Sequence, residues 1–203
     1  MPACLKQAKL TAIPMQWRQC LLLLSLLFIH SVTYAEFTIQ HAETRLEDGV
    51  YLLDASLDYG LTDAVVEALQ NGVTLTLLLS IDIKRERWYL WDESVTELKQ
   101  QYQLKYFALS KKYVLNLTNT GIQEIHTSLD SVLMSLNYLE DFPLLDAALV
   151  SSDSDYIVYL KIQLDIEALP APLRPVAYFS SDWRLASDWF TCHLQKNLLS
   201  ESG

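Results

Sequence analysis

The feature that most constrains the fold is a two-residue alternation between residues 73 and 84. Apolar side chains occupy the odd positions and polar side chains, from Thr74 to Lys84, occupy the even ones, with Leu78 as the exception. Successive side chains of a β-strand point to opposite faces, so the pattern predicts a strand with one buried and one wet face. The chain is therefore expected to build a sheet that is covered on one side.

The same alternation recurs elsewhere in the chain. It is clear in residues 50–59, 102–108, 113–117 and 156–166 and weaker in residues 37–46. Polar breaks at Glu47-Asp48-Gly49 and Ser110-Lys111-Lys112 separate successive segments, as expected of hairpin turns. These segments predict a chain of consecutive antiparallel strands.

Two segments change from a period of two to a helical period. Leu129, Val132, Leu133 and Leu136 fall at i, i+3, i+4 and i+7, after Ser128 as a candidate N-cap. A second short helix is predicted from a Thr62 cap to about residue 70. In a parallel sheet nearly every strand is followed by a crossover helix, but only two helices are predicted for about seven strands. The strands are therefore expected to be antiparallel. The predicted fold is mainly β, an antiparallel β-sandwich with two short helices in the connections.

The first 35 residues have the pattern of a secretory signal peptide. Residues 1–19 carry three basic residues and no acidic one, residues 20–29 form an apolar run, and Thr33 and Ala35 supply a small-x-small cleavage site. A membrane-spanning helix needs about 20 apolar residues, twice what this run offers. Cleavage is therefore predicted after Ala35, with a periplasmic location and no stable membrane span after cleavage. Met15 is an alternative start.

The predicted mature chain is a single domain over residues 36–195, followed by a frayed tail over 196–203. It retains all 25 acidic residues against 12 basic ones, which disfavours a partner such as nucleic acid or anionic lipid. Cys192 is the one cysteine after residue 35, so no internal disulfide is expected. We interpret Cys192 as a small buried side chain in a strand.

Known catalytic and metal-binding motifs are missing from the sequence. It contains no Gly-x-Ser-x-Gly, His-Glu-x-x-His or Gly-x-Gly-x-x-Gly, and His41, His126 and His193 do not stand at metal-ligand spacing. We therefore predict no catalytic residue, no metal ligand, no cofactor and no enzymatic activity. Because carboxylates are plentiful, a hydrolase with two carboxyl groups across a cleft is an open alternative.

The strongest candidate for partner binding is the segment from residue 84 to residue 93. Arg85, Arg87, Trp88 and Trp91 lie here at a predicted strand end. Arginine and tryptophan are the residue types that dominate contact sites between proteins. The alternative is an aromatic plug at the strand end, held by local Arg–Glu pairs.

A proline-rich segment, Leu169 to Pro175, supplies a second candidate surface. Proline lacks an N–H donor and fixes φ, so we expect the segment to be extended rather than helical. Pro170, Pro172, Arg174 and Trp183 are its candidate contact residues, for example by docking into an aromatic groove of a partner. The alternative is a crossover that packs its aromatic side chains onto the sandwich.

Three stretches of the sequence resemble a known family. They are residues 72–87, the strand pair from Tyr102 to Tyr113, and residues 169–178 followed by Asp182-Trp183, Ser187 and Trp189. The sequence is similar to a proteobacterial family of exported proteins of unknown function. The resemblance implies a signal peptide, an envelope location and no established activity. Genes of that family often neighbour a two-component sensor kinase, which implies a sensing role.

From these observations we expect an exported envelope protein that acts as a non-enzymatic interaction or sensory module. Its expected partner is an envelope protein. The alternative is a periplasmic carrier of a lipid or another apolar ligand, because strands rich in Leu, Ile and Tyr can also line a cavity.

Overall fold

The alternating segments form two antiparallel sheets whose apolar faces meet in one core. The computed structural model describes residues 36–87, 89, 91–151 and 153–195. The predicted signal peptide and the predicted C-terminal tail lie outside these residues. The described residues fall within one compact unit.

Nine strands and three α-helices make up the described part of the chain. The strands are β1 (Phe37–Glu47), β2 (Val50–Tyr59), β3 (Leu75–Arg85), β4 (Glu93–Phe107), β5 (Lys112–Leu117), β6 (Ile122–His126), β7 (Tyr138–Asp146), β8 (Tyr156–Leu164) and β9 (Phe190–His193). The helices are α1 (Asp63–Gln70), α2 (Leu129–Leu136) and α3 (Arg174–Phe179), and two short 3₁₀ turns span Ala147–Leu149 and Ser181–Trp183.

The strands divide unequally between the sheets. The smaller sheet has the order β1-β2-β7, and the larger one has the order β6-β5-β4-β3-β8-β9. All of the strand pairs within these sheets are antiparallel. The mainly β, two-sheet antiparallel prediction is therefore confirmed.

The alternation of β3 decides how the larger sheet is buried. Its odd positions, from Leu75 to Ile83, are almost completely buried, whereas Leu78, Ser80, Asp82 and Lys84 are partly exposed. Paired residues on neighbouring antiparallel strands lie on the same face, so β4, β5 and β8 repeat the division. Each sheet turns its apolar face inward, as a sandwich requires.

The two sides of the sandwich are closed by different means. On one side, Thr44 of β1 donates from Oγ1 to the carbonyl of His193 (3.1 Å) and accepts from the amide of Gln195 (2.9 Å). On the other side, α2 buries Val132 and Leu136, and the amide of Leu57 in β2 donates to the carbonyl of Asn137 (2.8 Å). The Thr44 bonds join the smaller sheet to the end of β9 in the larger one, whereas the Leu57–Asn137 bond extends the β2–β7 pairing within the smaller sheet.

Both predicted helices are present with their predicted caps. The hydroxyl of Thr62 accepts from the amide of Val65 (3.3 Å) at the start of α1, and Ser128 accepts from the amide of Ser131 (3.2 Å) at the start of α2. An amide bound at the N-cap satisfies one of the unpaired donors of the first turn. Gly72 has a φ of 89°, which suits the turn after α1.

The proline segment differs from its prediction. Residues 171–173 form a turn, the amide of Leu173 donates to the carbonyl of Pro170 (2.9 Å), and α3 begins at Arg174. The expectation that residues 169–175 are extended was wrong. Pro175 lies in the first turn of α3, where an amide has no partner within the helix, so its missing N–H costs nothing there.

Candidate functional site

The candidate contact residues lie at the tip where β3 turns into β4. Arg85 is the last residue of β3, and its register partner Glu93 is the first residue of β4. The side chain of Arg85 donates from Nη2 to Oε2 of Glu93. Arg87, two residues beyond the strand, donates from its own Nη2 to the same oxygen. One carboxylate therefore draws the two arginines together.

The contacts within this cluster shift the pKa values of Glu93 and Arg85 so that their charged forms are favoured. Hydrogen bonding from Arg85 holds the pKa of the Glu93 carboxyl below its ordinary value, and the hydrogen bond from Arg87 adds to this effect. The hydrogen bond and the negative charge of Glu93 in turn raise the pKa of Arg85. Two guanidinium groups share one carboxylate, so N–H donors remain for a further acceptor.

The segment before β8 supports the tip from the side. Tyr156 pairs with Arg85 across β3 and β8, and the Tyr156 hydroxyl accepts a hydrogen bond from the amide of Ser151 (3.0 Å). The amide of Glu86 donates to the carbonyl of Asp155 (2.9 Å). The arginine cluster is therefore held on a fixed backbone.

Aromatic side chains at the tip are turned to solvent. Trp91 is 91% exposed and Tyr89 is 64% exposed. Trp88, the remaining predicted contact residue, lies outside the described residues. The structure thus brings Arg85 and Arg87 together and places Trp91 on the same tip, where its indole is free of the core. An exposed indole on the same tip as guanidinium donors is suited to binding a partner surface.

The four residues of the second candidate surface do not share one environment. Pro170 and Pro172 are exposed, whereas Trp183 is 7% exposed and belongs to the core. Arg174 donates from Nε to the carbonyl of Leu169 (2.8 Å) and lies 3.7 Å from Oε2 of Glu167. Arg174 therefore braces its own loop, and Trp183 anchors the segment to the sandwich.

Polar groups elsewhere form local pairs. His41 lies 3.6 Å from Glu43, and His126 lies 3.1 Å from Glu124. Within residues 36–195, leaving aside the positions not described, no cluster of three or more His, Cys, Asp or Glu side chains has metal-binding geometry. Cys192 is half-buried in β9, and burial raises the pKa of its thiol to about 11.

The comparison with protein-family models gives one match. Residues 34–193 match the domain of unknown function DUF4390, so the match covers most of the chain and every strand described above. The chain belongs to the DUF4390 family. The resemblance to a family of unknown function is confirmed by this match. No curated protein and no solved structure matches the chain.

The DUF4390 match includes both the β3–β4 tip and the proline segment. Among the residues that the structure describes, no helix of this DUF4390 member combines the length and the apolar character needed to cross a membrane. The family description assigns no activity that could be transferred to particular residues of this chain.

Sequence reasoning overlooked how the tip is supported. Tyr156, Ser151 and Asp155 are about 70 residues from the tip in sequence, and they reach it because β8 pairs with β3. The sequence contains a signal for this pairing in the matched alternation of the two strands. It contains no signal that selects β8 over the other strands as the neighbour of β3.

Proposed function

We propose that this DUF4390 member is an exported, non-enzymatic binding module that contacts an envelope protein through the β3–β4 tip. The observation that carries the proposal is the exposed indole of Trp91 on the same tip as two arginines that share Glu93. Tryptophan and arginine contribute much of the binding energy where protein surfaces meet.

Export is supported by the sequence of residues 1–35, with its basic start, short apolar run and small-x-small site. The matching experiment is the mass of the protein recovered from the periplasm of a Gram-negative host. We expect a chain that begins at Glu36. Recovery of the protein in the cytoplasm with residues 1–35 attached would contradict export.

The contact is tested with a photo-reactive amino acid placed at position 91 in cells. We expect a specific cross-linked product that is lost when Arg87→Ala is added, because the arginine cluster positions the tip. Tyr138 provides the control, since it is an exposed aromatic residue on the smaller sheet, away from the tip. Equal products from positions 91 and 138, or a product unaffected by Arg87→Ala, would contradict the proposal.

The carrier alternative makes a different prediction. A carrier needs space between the sheets, whereas Leu53, Leu79 and Ile81 are fully buried there and belong to the shared core. This packing favours a binding module with a dry interior. Native mass spectrometry of the purified protein distinguishes the two, because a carrier retains an apolar ligand as added mass.

A further inference from the structure

The outward face of the larger sheet has a composition unlike the rest of the chain. Strand register assigns to this face the residues that alternate with the buried ones on five neighbouring strands. We call it the lysine–amide face. Its polar members are Lys84, Lys99, Lys105, Lys112, Lys161, Gln101, Gln103, Asn116, Gln123, Gln163 and Ser80, all of them partly or fully exposed.

The charge of this face is opposite to that of the whole molecule. It carries five of the 12 basic residues that follow residue 35 and, in Asp82 and Glu97, two of the 25 acidic ones. On the outward face of the smaller sheet, Glu47 and Asp54 surround Arg45. The net negative charge therefore lies elsewhere, and the larger sheet presents a positive field to solvent.

The polar groups of the face lie in rows across the strands. One row runs Lys99, Ser80, Lys161 over β4, β3 and β8, and the next row has Gln101 and Gln163 on either side of Leu78. With strands about 4.8 Å apart, the backbones of Lys99 and Lys161 are about 10 Å apart. A third row places Gln103, Asn116 and Gln123 side by side on β4, β5 and β6.

Aromatic rings beneath the lysines organise this surface. Lys84 Nζ lies 4.6 Å from the ring centre of Tyr159, and Lys161 Nζ lies 5.6 Å from that of Trp189. Lys105 makes the equivalent contact with Phe107 at 5.0 Å. Cation–π contacts of this kind restrict the side chains and keep the ammonium groups on the face. Lys99 pairs with Glu97 (2.6 Å), an exposed pair that an incoming carboxylate can replace at little cost.

The composition of the face identifies the class of molecule that fits it. Protein interfaces have a continuous apolar or aromatic centre. On this face Tyr159, Leu78 and the Val114–Ile125 pair are separated from one another by the polar rows. Amide side chains donate and accept hydrogen bonds at once, as sugar hydroxyls also do. Lysine supplies the counter-charge for carboxylates. A polymer that carries both hydroxyl and carboxylate groups therefore matches the amide side chains and the lysines of this surface.

We propose that the lysine–amide face binds an acidic polysaccharide, with lysines contacting its carboxylates and the rows of amides contacting its hydroxyls. Apart from Lys84, which adjoins Arg85, the members of this face lie away from the β3–β4 tip, and the proposal does not depend on the proposed function. The contact is reversible and involves no covalent step.

Binding of the purified protein to immobilised polygalacturonate tests the proposal, with neutral dextran and poly-L-glutamate as comparison surfaces. We expect binding to polygalacturonate at low ionic strength that weakens as salt is added, because salt screens the exposed lysines. The Lys99→Gln/Lys161→Gln variant should bind about tenfold more weakly. The Lys111→Gln/Arg184→Gln variant removes the same charge from outside the face and should bind like the wild type.

The amide rows are tested without a change of charge. The Gln101→Ala/Gln163→Ala variant should bind polygalacturonate about threefold more weakly, because each lost amide removes a hydrogen bond to a hydroxyl. Circular dichroism of each variant verifies that it remains folded. The proposal is overturned if the wild type does not bind, if the charge-matched control loses as much affinity, or if the amide variant binds unchanged. Equal binding to poly-L-glutamate would assign the face to an acidic protein instead.

Discussion

Tyr59 offers a test of how completely the core satisfies its polar groups. The residue is 2% exposed, and its hydroxyl has no hydrogen-bond partner among the described residues. Burial raises the pKa of this phenol, so the hydroxyl stays neutral but unpaired. A buried polar group without a partner costs about 1–3 kcal/mol. Its ring packs edge-on against Phe37 at 5.1 Å, a contact that phenylalanine would keep.

We therefore expect Tyr59→Phe to stabilise the protein by about 1 kcal/mol, which raises Tm by about 2–4 °C for a domain of this size. Urea unfolding at equilibrium measures the change. Tyr156→Phe is the matched control, because the Tyr156 hydroxyl accepts a hydrogen bond from Ser151. That variant should lose about 1 kcal/mol. A loss of stability in Tyr59→Phe would refute the reasoning, since it would reveal a partner for the hydroxyl.

Three further predictions follow from packing and protonation. Leu79→Ala should destabilise the fold by about 3 kcal/mol in urea unfolding, because Leu79 is fully buried, whereas Leu109→Ala on the exposed β4–β5 turn should change stability by less than about 0.5 kcal/mol. In the folded protein the pKa of the Glu93 carboxyl lies below its ordinary value of 4.5. Ionised Glu93 therefore stabilises the fold above pH 4.5, and this contribution is lost as the pH falls through the lowered pKa. Stability curves should show Glu93→Gln to be less acid-sensitive than the wild type. With a pKa of about 11, Cys192 is about one-thousandth thiolate at pH 8, so alkylation by iodoacetamide in the folded protein should be far slower than in urea.

Features that depend on neighbours in sequence were predictable. Thr62 and Ser128 are the N-caps of α1 and α2, as their positions before apolar periodic segments indicated. The alternation of β3 likewise identified its buried face. Both are local effects, since a cap bonds an amide three residues away and a strand alternates whatever its partner is.

Strands β6 and β7 and helix α3 were not predicted from the sequence, because the local sequence signals of these short elements are weak. Residues 122–126 form β6 without a clear apolar alternation, and β7 contains Pro143 and an Asp141 with a φ of 54°. Helix α3 was hidden because Pro175 reads as a helix breaker unless its place in the first turn is known.

The candidate sites depend on which strands become neighbours. A local Arg–Glu pair at this strand end was predicted as an alternative, but its register was not, because alternation was recognised only from residue 102 whereas β4 begins at Glu93. The lysine–amide face could not be predicted, since Lys99 and Lys161 lie in one row on either side of Ser80 only because β4 and β8 both pair with β3. Net charge also conceals this face, because a total over the chain contains no information about how the charges are distributed.

The bonds between β1 and the segment after β9 have a consequence for how the chain acquires its structure. Thr44 and Leu46 bind residues 149 or more positions later in the sequence. Contacts at such separation form slowly, because a long loop must close before they contribute. β1 is an edge strand, and until residues 193–195 are available the part of its edge at Thr44 and Leu46 stays uncovered and prone to aggregation. A chain truncated before residue 190 should therefore depend on chaperones or be degraded, even though it contains eight of the nine strands.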